Sequence, residues 1–321
     1  MLSWKHQRAH RFGGRDYPDR RRGVTLVEVI VVVVILTLLA LVAATALPRG
    51  RETARLAACQ DHLRQIGIAL VLYDQMAGHL PMVPEGARRD RPASSDGPLK
   101  VLLETLGLPD LTEVSDAKGL PRARPGQPSA ERPARGFVCP SDPNVMAGLF
   151  PAPVSYRATT GDSPTGINGA FAPGRLVSLA EVEAGDGKGY TAGFAERLVG
   201  NSLKAPALEN YAVVPGPLGD AGCPRPDPSA WRGDAGASWV ASNWQSTLYN
   251  HALTPDQFPS CLAADHRSAF MGASSRHTAG LNVLILDGSV RTFTSKVDPR
   301  IWRALATTNS ATSPPARPTE P

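Results

Sequence analysis

Residues 24–47 read VTLVEVIVVVVILTLLALVAATAL, and the only charged residue in this run of 24 is Glu28. At about 1.5 Å of rise per residue, a helix of this length would be roughly 36 Å long, against a membrane hydrocarbon core of about 30 Å. The run therefore predicts a transmembrane helix over residues 24–47.

The charge of the chain lies before this run. Residues 1–23 carry seven Lys and Arg against two Asp, so their charge of 7 − 2 = +5 equals the +5 of the whole chain. Although Arg49 and Arg51 follow the run, the basic leader favours a cytoplasmic N-terminus, with residues 48–306 outside the cytoplasm. Because no basic stripe is left outside the leader, the sequence predicts no nucleic-acid binding.

Three ordinary explanations of the apolar run are open. Residues 44–46 resemble the A-x-A site of a cleaved secretory signal, but a run this long with an acid inside it is a poor signal-peptide core. Arg21 and Arg22 suggest a twin-arginine signal, which the following residues fit weakly. A plain single-pass anchor explains everything except Glu28, since an acid one turn inside a membrane span is costly and by default functional.

Residues 21–28, RRGVTLVE, resemble the type IV prepilin processing signal. That signal combines a basic stretch, a glycine before the scissile bond, and glutamate as the fifth mature residue. The resemblance implies that prepilin peptidase cuts between Gly23 and Val24 and leaves Val24 with a free or N-methylated ammonium. Glu28 can then pair with the Val24 ammonium of a neighbouring pilin-like subunit. Two positions depart from the usual pattern, because Val24 stands where phenylalanine is usual and Pro48 falls about three residues late.

Residues 49–77 predict a second, amphipathic stretch of helix. Side chains that favour a core recur there at intervals of three and four, at Leu56, Cys59, Leu63, Ile66, Leu70 and Tyr73. This spacing places them on one helix face, which we expect to pack on a β-sheet. Pro48 is expected to kink the helix between the two stretches.

The remaining sequence indicates an α+β, pilin-like domain over residues 48–306, in which the long helix packs on an antiparallel sheet. Pro, Gly and Ser place loops at 84–97 and 118–136, and residues 98–106 predict a short helix. Short apolar runs predict strands at 136–139, near Val177, at 190–194 and at 212–214. Residues 307–321, rich in Thr, Pro and Ser, are predicted to form a disordered tail.

The clearest hairpin lies near the C-terminus, where residues 281–286 (LNVLIL) and 289–294 (SVRTFT) flank Asp287 and Gly288. An Asp-Gly pair is typical of a two-residue turn in which both residues have positive φ. A short helix over 299–306 should follow, with Asp298 as its N-cap and Pro299 in its first turn.

His277 precedes Asp287 by ten residues, and this spacing resembles the C-terminal H-x9-D-G signature of a large bacterial family of prepilin-type proteins of unassigned function. The resemblance runs from about Arg20 to Thr308. It implies a pilin-like fold and a location in the bacterial envelope, but no known reaction. Further segments that resemble this family lie at 59–73, 139–142, 155–157, 194–198, 249–251 and 259–261.

The C-terminal motif also prompts a search for chemistry. Ser275, His277 and Asp287 superficially resemble a hydrolase triad, but no G-x-S-x-G elbow is present and turn geometry already explains the aspartate. A lone histidine is usually structural, so we predict no metal ligand at His277 or His251. We therefore expect no enzyme activity and no cofactor, and we expect His277 to bond backbone groups that tie its loop to the hairpin.

The four cysteines, Cys59, Cys139, Cys223 and Cys261, lie far apart and form no C-x-x-C pair. An even number in an exported domain fits two disulfides, although any one of them could equally be a buried thiol. Our hypothesis pairs Cys59 with Cys139 and Cys223 with Cys261. The sequence alone allows three pairings.

Two functions remain open. The chain is either a subunit of a type IV pilus-like or type II secretion-like filament, or a membrane-tethered binding module that never polymerises. Glu28 and the processing site favour the first, whereas the long loops and large domain favour the second or a minor role.

Overall fold

The structure, a computed structural model, describes residues 25–85, 96–108 and 134–310, with the backbone alone over 42–49. Residues 1–24, which include Gly23 and Val24, and residues 311–321 lie outside the described residues. The chain divides into two compact units, residues 1–50 and 51–321.

The described part of the first unit is the beginning of a long helix, α1 (Leu26–Ala77). Thr25 caps this helix, because its Oγ1 accepts a hydrogen bond of 3.3 Å from the backbone N–H of Glu28. The large apolar side chains from Leu26 to Leu41 are exposed, for example 77% at Leu26 and 60% at Leu39. No helix in the described part of the chain is both long and apolar enough to cross a membrane.

In the second unit, α1 buries the stripe that its spacing predicts. Cys59, Leu63, Ile66 and Leu70 are all buried in the main core, and Leu56 and Tyr73 are partly buried at its ends. Gly67 marks the closest approach to the sheet, since a Cβ atom there would lie 2.9 Å from a Leu284 methyl group.

The described residues form two β-sheets. One has the strand order β5-β1-β2-β8-β9 and the other β4-β3-β6-β7. The strands are β1 (Tyr156–Thr159), β2 (Ala192–Glu196), β3 (Tyr211–Val214), β4 (Trp231–Arg232), β5 (Leu248–Tyr249), β6 (Cys261–Ala263), β7 (Ala269–Phe270), β8 (Leu281–Ile285) and β9 (Val290–Phe293).

The predicted α+β class is confirmed, but the sheets are mixed rather than wholly antiparallel. β1 pairs in parallel with β5, and β3 pairs in parallel with β6. All other pairs are antiparallel in the described strands. The remaining helices are short: α2 (Pro98–Val101), α3 (Pro143–Met146), α4 (Leu179–Ala184) and α5 (Pro299–Ala304).

Two predicted strands are wrong. The stretch at 136–139 begins as a 3-10 turn, Arg135–Phe137, and Val177 lies in no strand. The first stretch is apolar because it contributes Phe137 to the core, where the Phe137 ring lies 5.5 Å from that of Trp239. A single buried aromatic can hold a loop in place without any strand pairing.

The C-terminal hairpin and helix form where predicted, with one correction to the turn. Positive φ occurs at Gly288, at 87°, but not at Asp287. The Gly288 N–H donates to the Ile285 carbonyl at 2.9 Å, and the Ile285 N–H donates to the Ser289 carbonyl at 2.8 Å. The loop is therefore a three-residue hairpin loop, in which Gly288 follows the turn as a bulge residue. Only this one residue needs a positive φ.

At the C-terminal end, Asp298 caps α5 by accepting a 2.7 Å hydrogen bond from the Arg300 N–H, as predicted. The packed chain then continues past residue 306, where the sequence analysis ended the domain. Thr307 and Thr308 are buried, and the Thr307 hydroxyl donates to Asp186 at 2.6 Å. The first four residues assigned to the tail, 307–310, thus belong to the folded unit.

Candidate functional site

The ring of His277 lies in the core of the second unit, with only 1% of its side chain exposed. Its Nδ1 lies 2.7 Å from Oε1 of Glu52. Its Nε2 lies 3.5 Å from Oε1 of Glu196 and 3.2 Å from Sγ of Cys139. The expectation that this ring bonds backbone groups is wrong, because its partners are side chains from α1, from β2 and from the loop at Cys139.

Glu52 connects this site to α1. Besides facing His277, its carboxylate accepts hydrogen bonds of 3.3 and 3.1 Å from the Ser141 hydroxyl. Glu52 and Cys59 are seven residues apart, which is close to two helix turns and places both on one face. One face of α1 therefore supplies both a carboxylate and a thiol to the site.

Glu196, the last residue of β2, is buried and rigidly held. Its Oε2 accepts a 2.9 Å hydrogen bond from the backbone N–H of Asn282, and its Oε1 accepts one of 2.9 Å from the Asn282 side-chain amide. The Asn282 Oδ1 in turn accepts from Thr292 at 2.9 Å and from Gln60 at 3.2 Å. This network fixes the orientation of the carboxylate toward His277.

Both disulfides expected from the sequence are present. Cys59 and Cys139 have their Cα atoms 5.2 Å apart, and Cys223 and Cys261 have theirs 5.9 Å apart, so no cysteine is free. The first disulfide borders the histidine. One donor atom from each of Cys59, Cys139, Glu196 and His277 lies within 4.8 Å of all the others. We call these four residues the donor cluster.

The electrostatics of the site favour a charged imidazole. Burial by itself would lower the pKa of His277, but the hydrogen bonds and charges of Glu196 and Glu52 outweigh it and raise that pKa above its usual value. The protonated ring can donate from both nitrogens, one toward each carboxylate. The site thereby compensates a buried charge that would otherwise be costly.

A pocket adjoins the donor cluster. It is lined by Cys139 and Glu196 from the cluster and by Arg276 at its rim, together with Ser141, Asp142, Ser155, Arg197, Leu198, Ser274 and Ser275. The Arg276 side chain is half-exposed, and it pairs with Glu209 at 3.1 Å. The pocket borders the disulfide on the side of Cys139.

The other two residues of the C-terminal motif have separate roles. Asp287 accepts a 2.8 Å hydrogen bond from the Ser289 N–H and lies 3.8 Å from the guanidinium of Arg291. Gly288 shapes the hairpin turn. The motif thus combines one buried ring with one surface turn, and among the described contacts none joins His277 to Asp287.

Sequence reasoning missed Glu52, Glu196 and Asn282. Two signals could have found the two acids. Glu52 shares a helix face with Cys59, and Glu196 lies two residues after Phe194 in β2, where an acid among buried residues needs a partner.

His251, the other histidine considered from the sequence, is structural. Its ring stacks on Trp302 with centroids 3.8 Å apart. It lies 2.6 Å from the Trp302 carbonyl and 2.9 Å from the Tyr249 hydroxyl. Burial lowers the pKa of His251 to about 3, so the ring is neutral.

Two family models match different parts of the chain. No curated protein and no solved structure matches the chain. The model of the prokaryotic N-terminal methylation motif matches residues 18–44, so the chain has the N-terminus of a prepilin-type protein that prepilin peptidase processes. The model of a family described as "protein of unknown function (DUF1559)" matches residues 48–300. Because this match covers well over half of the chain, the chain belongs to that family.

Proposed function

We propose that the mature chain is a non-enzymatic, membrane-anchored subunit of a type IV pilus-like or type II secretion-like assembly of the bacterial envelope. In this proposal the apolar beginning of α1 crosses the inner membrane and bundles with the same helix of other pilin-like subunits. The second unit is displayed in the periplasm. The observation that carries the proposal is Glu28, an acid in the first turn of an otherwise apolar helix.

The surroundings of Glu28 support a partner on another molecule. In the described part of the chain, no cation pairs with its carboxylate, and its neighbours Val27 and Ile30 are 69% and 52% exposed. An apolar surface of this kind needs lipid or other apolar helices around it. In either surrounding a carboxylate needs a counter-ion, and the ammonium of Val24 on a neighbouring subunit supplies one.

Glu28 also has a local explanation that does not need its charge. With Thr25 as N-cap, Glu28 occupies the third helical position, where glutamate or glutamine completes a capping box. Glutamine at this position would keep the shape and capping capacity of the side chain and lose only the charge. Glu28→Gln therefore isolates the proposed ion pair.

The periplasmic placement is supported by the leader and the cysteines. The charge of residues 1–23 favours retention of the leader in the cytoplasm. Two disulfides in the second unit suit an oxidising compartment.

The alternative is a membrane-tethered binding module that does not polymerise. Its support is the size of the second unit, residues 51–321, whose described residues build two sheets. Such a module needs the anchor and the processing site but no lateral contact between anchors.

Cross-linking between subunits in membranes separates the two functions. We expect Glu28→Gln to be cleaved, inserted and folded like the wild type, but to lose cross-linking at matched expression. Breaking a buried ion pair costs about 3 to 5 kcal/mol. Glu104→Gln, the same change at an exposed residue outside α1, is the matched control and should cross-link like the wild type. Equal cross-linking by Glu28→Gln and the wild type would contradict the filament role and leave the tethered module.

A further inference from the structure

We propose that the donor cluster binds a zinc-type divalent metal ion when the disulfide between Cys59 and Cys139 is reduced. The disulfide and the metal would then be two alternative closures of one site, each joining α1 to the loop at Cys139. This inference is independent of whether the chain polymerises.

The donor types suit zinc. Reduction leaves two thiolates, and beside them lie the Nε2 atom of His277 and a carboxylate oxygen of Glu196, all within 4.8 Å of one another. Zinc takes four such ligands in a tetrahedron, with bonds of about 2.3 Å to sulfur and about 2.0–2.2 Å to nitrogen and oxygen. These bonds place neighbouring ligand atoms about 3.3 to 3.8 Å apart.

The spacing of the cluster is already close to this geometry. His277 Nε2 lies 3.2 Å from the Cys139 sulfur and 3.5 Å from Glu196 Oε1. The main change required is that the two sulfur atoms separate to about 3.7 Å, as tetrahedral zinc demands. The cysteines stand on different segments, α1 and the loop before α3, so rotation of their side chains can open this gap.

The groups around the cluster are arranged as they are around metal ligands. A metal-bound histidine usually donates its second ring N–H to a carboxylate, which fixes the ring. His277 has Glu52 at 2.7 Å from Nδ1, and its Nε2 lies on the side of the Cys139 sulfur. Glu196 is likewise oriented by both hydrogen-bond donors of Asn282. Two of the four ligands, His277 and Glu196, are thus held before any metal arrives.

The chemistry balances with a dithiol as reductant. A dithiol transfers two electrons and two protons to the disulfide and becomes a disulfide itself, leaving two thiols at Cys59 and Cys139. Metal binding then releases the two thiol protons and the Nε2 proton of His277, so that the ligands are two thiolates, a neutral imidazole and the Glu196 carboxylate. The pocket beside Cys139 marks the side of the cluster from which the ion would approach.

Cobalt is the probe for the test, because tetrahedral Co²⁺ with thiolate ligands absorbs visible light and Zn²⁺ displaces it. The full chain in detergent is reduced without oxygen in a Cys223→Ser/Cys261→Ser background, which removes the competing thiols. We expect about one Co²⁺ per chain, with a tetrahedral spectrum that Zn²⁺ bleaches. The oxidised protein should give no such spectrum.

Variants identify the ligands. His277→Gln and Glu196→Gln should each lose the tetrahedral spectrum, whereas His62→Gln, a histidine of α1 that contacts Tyr156 at 3.2 Å, should keep it. Glu52→Gln, a positioning residue, should keep the spectrum but weaken affinity about 10- to 100-fold.

If the Cys223→Ser/Cys261→Ser background does not fold, the same test compares the reduced wild type with Cys59→Ser/Cys139→Ser. The expected result is a spectrum in the wild type alone. The absence of a tetrahedral spectrum in the reduced wild type would overturn the proposal, and so would a spectrum that survives both His277→Gln and Glu196→Gln.

Discussion

The Nδ1 atom of His277 lies 2.7 Å from Oε1 of Glu52, a residue 225 positions away in the chain. The contact joins the C-terminal H-x9-D-G motif to the long helix. Together with the disulfide between Cys59 and Cys139, it holds the part of α1 that belongs to the second unit against the rest of that unit at two neighbouring points.

The His277 contact should make stability depend on pH. Because the carboxylates raise the pKa of His277 in the folded state, its contribution is fully present below the unfolded pKa of about 6.5 and is lost as pH rises through the raised value. His277→Gln should lower the free energy of unfolding by about 1.5 to 3 kcal/mol near pH 6, the range for hydrogen bonds to charged groups. Chemical unfolding of both proteins across pH checks this, and a gap that does not narrow toward high pH would contradict it.

His251 should show the opposite trend. The pKa of His251 falls to about 3 in the folded state. Below about pH 6.5 the unfolded chain therefore binds a proton at His251 that the folded chain does not bind, and the free energy of unfolding decreases. His251→Gln should cost about 1 to 3 kcal/mol near neutral pH, because it leaves buried groups unpaired. The gap to the wild type should narrow on acidification. A gap that widens instead would show that the ring becomes charged in the folded protein.

The two disulfides should differ in their contribution to stability. The Cys59–Cys139 bond closes 80 residues and the Cys223–Cys261 bond closes 38, for which loop-closure entropy gives about 4.5 and about 3.9 kcal/mol. Thermal unfolding of the two double serine variants in detergent tests the order. Greater destabilisation by Cys223→Ser/Cys261→Ser would contradict it.

Local features of the fold could be predicted from the sequence because each depends on nearby residues. The buried stripe of α1 follows from helical spacing, and the cap at Asp298 follows from Asp-Pro at a helix start. The parallel pairing of β1 with β5 could not be predicted, since strands this short acquire their partners from tertiary packing. The same holds for Phe137, whose burial against Trp239 replaces the expected strand.

The site was predicted only in part for a related reason. His277 and the four cysteines were identified by their types and spacing. Glu52 and Glu196 were missed, because they are far from His277 in the sequence. Only the folded chain brings the donor cluster together and places the Glu52 carboxylate beside it.

The most direct test of the whole account is the mass of the mature chain extracted from membranes. Processing as a prepilin predicts that residues 1–23 are removed and that the N-terminal residue is Val24, free or methylated. Intact-mass and N-terminal peptide measurements should therefore find a chain that begins at Val24. A chain that retains Met1, as a plain anchor would, or one that begins at Leu47, as a cleaved secretory protein would, would contradict the account.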